Sequence, residues 1–68
     1  MSRVFTDEEC ARMEHDPVLR RQYFWHVGHN ALLTSVKLRE SGNLKDAQWI
    51  GRFGRAVLDN IDVLVRAT

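Results

Sequence analysis

From Ala47 onward the apolar positions of the chain fall at alternating spacings of three and four: Ala47, Ile50, Gly54, Val57, Ile61 and Leu64. This spacing draws one stripe along a helix and is the seam of a coiled-coil-like contact. The opposite face carries Gln48, Arg52, Arg55, Asp59, Asp62 and Arg66, and between the two lies a flanking row of Trp49, Phe53, Ala56, Asn60 and Val63. The stretch from Phe24 to Leu38 repeats the arrangement. There a row of Trp25, His29, Leu32 and Val36 runs beside a row of Phe24, Gly28, Ala31, Ser35 and Leu38. Each helix therefore has more apolar surface than one neighbour covers.

Start and stop signals divide the chain into three helices. Thr6-Asp7-Glu8-Glu9 fits a capping box, with Phe5 and Cys10 at the positions of a hydrophobic staple. A short helix is expected from about Asp7 to His15. Asp16 followed by Pro17 is a second start, an N-cap residue before a proline at the first helical position. A long helix follows, from Pro17 to about Ser41. Gly42 is the natural C-cap and Asn43 caps the next helix, with Asp46 favourable in its first turn. The third helix is expected from Leu44 to about Ala67.

At 1.5 Å per residue each long helix spans roughly 36 Å. With only a short turn between them, the two fold back on each other. The expected fold is a single all-α domain over residues 1–68, a short N-terminal helix plus an antiparallel helical hairpin. Only one long partner helix exists within a protomer, so the second apolar row calls for another copy of the chain. A homodimer resembling a four-helix bundle, with the short helices outside, is the simplest solution. The dimer or packing seam is assigned to Gly28, Ala31, Leu32, Val36, Ile50, Gly54, Val57 and Ile61. A monomeric three-helix bundle, with the first helix covering the extra row, is the alternative.

Gly51 and Gly54 stand out because a glycine inside a helix costs about 1 kcal/mol relative to alanine. Gly54 falls on the apolar stripe and Gly51 at its margin, while Gly28, Ala31 and Ser35 make a strip of small residues on the other helix. Close backbone packing explains both glycines. The competing reading takes Gly51-Arg52-Phe53-Gly54-Arg55 as a bend that offers two arginines and a ring to a phosphate or base. No strand precedes the stretch and no Lys-Ser/Thr follows it, so it matches neither phosphate-loop fingerprint. On an unbroken helix Arg52 and Arg55 project from the polar face, with Asp59 one turn from Arg55 to pair with it.

Size and charge narrow the function. A chain of 68 residues buries a smaller fraction of its surface than a larger domain, and its single cysteine, Cys10, forms no intrachain disulfide. Net charge is only +1, from ten basic and nine acidic residues, which lacks the excess of a general nucleic-acid binder. No apolar run is long enough to cross a bilayer, and a cytoplasmic location is expected. His26 and His29 have a spacing that can place two imidazoles on one ion, with Cys10, Glu14, His15 or Asp16 as further ligands. A core or interface role suits His29 better, and no metal or cofactor is expected. Cys10 and His15, five apart on one short helix, face different directions, so no catalytic pair forms and no enzyme is expected.

The cluster Leu19 to His26, LRRQYFWH, joins arginines to aromatic rings, the composition of an interface hot spot or a base-stacking platform. Arg20, Arg21, Tyr23, Phe24 and Trp25, with Arg52 and Arg55, are the expected partner-binding residues. The reading is a non-catalytic module that binds and inhibits or modulates a larger protein. Short helical inhibitors encoded by phages and other mobile elements against host defence or regulation are the general type. The alternative is a nucleic-acid or small-nucleotide binder using the arginine and aromatic surface.

Overall fold

In the structure, a computed structural model that describes residues 4–66, the chain is all-α. Among the described residues there are four helices and no strand: α1 (Asp7–Arg12), α2 (Pro17–Glu40), α3 (Leu44–Asp59) and α4 (Ile61–Arg66). The anticipated extension of the last helix to Ala67 lies outside the described residues.

The caps form as their chemistry dictates. Thr6 Oγ1 accepts from the Glu9 amide at 3.1 Å while Glu9 Oε1 accepts from the Thr6 amide at 3.2 Å, closing the capping box. Asp16 Oδ1 accepts from the Leu19 amide at 3.1 Å, with Pro17 opening α2. α2 ends in a Schellman motif: Gly42 has φ +86°, the Asn43 amide donates to the Leu38 carbonyl at 2.9 Å, and the Gly42 amide donates to that of Arg39 at 3.1 Å. Asn43 then caps α3 through the Asp46 amide and donates its own Nδ2 to Asp46 Oδ2 at 2.9 Å.

Three local expectations are corrected. α1 ends at Arg12 instead of His15, and Met13 to His15 form a turn. The residue before a proline is pushed out of the helical region. Asp16 is accordingly extended, at φ −121° and ψ 96°, and the chain leaves the helix ahead of it. The staple partner also differs: Cys10 is exposed, and Phe5 instead meets Tyr23 and His26 of α2 edge-on at 5.5 and 5.9 Å. Two rings offer Phe5 more favourable contact than a single thiol.

The third correction is at Asn60, where the last helix is interrupted and divides into α3 and α4. The Asn60 Nδ2 donates to the Ala56 carbonyl at 2.8 Å, sharing that acceptor with its own backbone amide at 3.1 Å. Asparagine competes with the helical ladder in this way, and its backbone shifts to φ −111°, ψ 18°. The interruption is one residue long, since the Leu64 amide still reaches the Asn60 carbonyl at 2.9 Å.

α2 and α3 pack along each other, and α4 lies against α2. The contact is centred on glycine. A Cβ built on Gly54 stands 2.8 Å from the Gly28 carbonyl oxygen and 3.0 Å from Ala31 Cβ; one built on Gly28 stands 2.6 Å from Leu58 Cγ. One built on Gly51 stands 2.9 Å from Ser35 Oγ, because the buried Ser35 hydroxyl donates to the Ala47 carbonyl at 2.6 Å. The α2 row of Phe24, Gly28, Ala31, Ser35 and Leu38 thus faces the α3 row that begins at Ala47. Val36, assigned to the dimer or packing seam, is half exposed in the protomer. The approach of Gly28 to Gly54 centres the contact on the neighbouring row and leaves Val36 at its edge.

The buried apolar side chains are few: Leu19, Ala47, Val57 and Val65. α1 contributes none. The radius of gyration is 13.4 Å, against about 11 Å for a compact chain of this length.

Candidate partner-binding surface

The structure separates the seven expected partner-binding residues into three groups. Arg20 is a clasp. Its Nε donates to the Val65 carbonyl at 3.0 Å and its Nη1 to the carbonyls of Met13 and Glu14 at 2.7 and 3.0 Å. These bonds tie the turn after α1, the start of α2 and the end of α4 together, so three of its five N–H donors are engaged within the protomer. Arg21 is partly engaged as well, in an exposed ion pair with Asp62 at 2.6 Å. The hydrogen bond from Arg21, then its charge, hold the Asp62 carboxyl below the usual carboxylate range, with a smaller contribution from Arg66.

The aromatic trio forms the second group. Tyr23 meets Phe5 and Phe24 edge-on, and Phe24 is half-buried. Trp25 stays half exposed, its ring tilted over His29 at 4.0 Å and edge-on to His26 at 5.0 Å. Both histidines therefore pack against aromatic rings. Among the described residues no group of three His, Cys, Asp or Glu side chains converges as a metal site would require.

Arg52 and Arg55 form the third group, and here the structure brings in residues the sequence reading missed. They line an open groove of about 410 Å³ between α2 and α3, whose floor includes Leu32, Val36, Ala47 and Gly51. Arg39 reaches the same groove from the last turn of α2. Its signal was present in the sequence, since the row Trp25, His29, Leu32, Val36 continues by three residues to Arg39. Among the described residues none of these three arginines forms an ion pair, and the anticipated pairing of Arg55 with Asp59 is not made.

A second surface was legible as a row but was not assigned to partner binding. Trp49 and Phe53 stack one turn apart, with centroids at 6.3 Å and planes 8° from parallel. They remain 70% and 47% exposed. Ala56, Asn60 and Val63, which continue their row, are exposed too. Neither α1 nor α4 covers it. Gln48 and Arg52 belong both to the groove and to a second hollow beside Trp49, so the two surfaces adjoin.

Among the described residues no helix is long and apolar enough to cross a membrane. Neither a protein-family model, nor a curated protein, nor a solved structure matches the chain.

Proposed function

We propose that the protein is a non-catalytic interaction module that pairs with a second copy of itself and binds a larger protein, inhibiting or redirecting it by covering part of its surface. One observation carries this reading. Among the described residues, large apolar side chains stay exposed in rows at helical spacing: Trp49 and Phe53 with Val63 along one, Trp25 and Val36 along another. A contiguous exposed apolar patch of this kind marks an interaction surface. Tryptophan and arginine are also the residues most often found to anchor interfaces. The nucleotide reading has the groove arginines in its favour, but among the described residues no aromatic face lines that groove itself, and Trp49 belongs to the adjoining hollow.

The test is a double variant, Trp49→Ser with Phe53→Ser. Both side chains are exposed in the protomer, so helicity and monomer stability stay close to wild type. Self-association in sedimentation velocity, together with nuclease-resistant retention of a stoichiometric protein from lysate, falls at least about tenfold. A wild-type protein that remains monomeric and retains no protein refutes the reading; so does a double variant that behaves as wild type in both assays.

A further inference from the structure

We propose that the groove between α2 and α3 takes an acidic, amphipathic protein segment, whose carboxylates meet Arg39, Arg52 and Arg55 and whose apolar side chain covers Leu32 and Val36. This rests on the reading of the chain as an interaction module and names the chemistry of one partner surface.

The first support is charge. The protein has ten basic and nine acidic residues, yet no carboxylate side chain lines this groove. Elsewhere Arg20 and Arg21 are engaged by carbonyls and by Asp62, while the three groove guanidinium groups have no ion-pair partner among the described residues. Three like charges around one concavity repel one another, and an anionic partner relieves that repulsion. Guanidinium also matches a carboxylate fork to fork. Arg52 and Arg55 are three residues apart on α3, so their stems stand about 5–6 Å apart. Carboxylates three or four residues apart on a partner helix have the same spacing.

The second support is the floor, which decides between an acidic protein and a nucleic acid. Val36 is 50% exposed, Leu32 is half-buried beside it, and both line the groove. A phosphodiester strand would satisfy the arginines and leave this apolar surface wet. An amphipathic segment buries it with an aliphatic side chain beside its carboxylates.

The experiment uses fluorescence anisotropy of a labelled, helix-stapled peptide with glutamates at i and i+3 and leucine at i+4. The expected result is saturable binding that falls at least about tenfold with Arg52→Glu plus Arg55→Glu, together with recovery when the peptide glutamates become lysines. Replacing the peptide leucine by serine weakens binding severalfold. The Trp49→Ser/Phe53→Ser variant still binds the peptide, so loss of the Trp49 surface and loss of the groove are read separately. Three outcomes overturn the proposal: no saturable peptide binding to the wild type, equal binding when the glutamates become glutamines, or tighter binding of an oligothymidylate of matched charge, which would make the groove a nucleic-acid site. Circular dichroism of the arginine variants checks that the fold is retained, as their exposure leads one to expect.

Discussion

Replacing Gly54 by alanine places one methyl group into the close contact between α2 and α3. Its Cβ stands 2.8 Å from the Gly28 carbonyl oxygen, 3.0 Å from Ala31 Cβ and 3.2 Å from Leu32 Cγ. Carbon contacts relax to about 3.5–4.0 Å, and backbone cannot rotate aside, so α2 and α3 must separate. Overpacking of this kind costs about 1–3 kcal/mol, partly offset by the roughly 1 kcal/mol that alanine gains over glycine in a helix.

The expected net loss is about 1 kcal/mol, a fall in Tm of roughly 4–8 °C for a domain this small. Gly51→Ala is the internal control, since it carries the same propensity gain. Its Cβ meets only the Ser35 side chain, tightly at the hydroxyl (2.9 Å) and at ordinary contact distance at Cβ (3.6 Å); the hydroxyl can turn away at the loss of a hydrogen bond worth about 1 kcal/mol, so the net change is near zero. In a Ser35→Ala background that obstacle is gone, and Gly51→Ala should then stabilise by about 1 kcal/mol. Thermal and urea unfolding followed by circular dichroism, at one protein concentration, measure all four variants. Equal effects at the two glycines, or a Gly54→Ala protein as stable as wild type, would refute the packing argument.

Arg20→Lys should destabilise by about 1–3 kcal/mol, because one ammonium cannot reach the three carbonyls that the guanidinium spans; faster amide exchange in both α4 and the turn after α1 is the signature. For Asp62 the folded pKa is depressed, chiefly by the Arg21 hydrogen bond. The stabilisation is therefore complete above the ordinary aspartate value of about 4 and is lost as pH falls through the folded value. Carboxyl NMR should show a midpoint below the ordinary value that returns toward it in Arg21→Gln; an unchanged midpoint would remove the Arg21 contact as the cause.

Elements whose causes are local can be read from the order of residues alone. Thr6, Asp16, Gly42 and Asn43 act within a few bonds of their own backbone, so the helix starts and the hairpin turn were legible. The alternation of three and four likewise marked the strip of small residues and the surplus apolar row. The break at Asn60 is also local, but an apolar rhythm that runs on through Ile61 and Leu64 concealed it. Tertiary structure decided the rest. Which of two adjacent rows faces the other helix depended on how closely Gly28 and Gly54 approach. The fate of each arginine depended on residues far along the chain: Val65 is 45 residues from Arg20, and Asp62 is 41 from Arg21. Arg39, Arg52 and Arg55 converge only because α2 and α3 fold antiparallel. Periodicity fixes the direction in which a side chain leaves its own helix, and the packing of helices sets what it meets there.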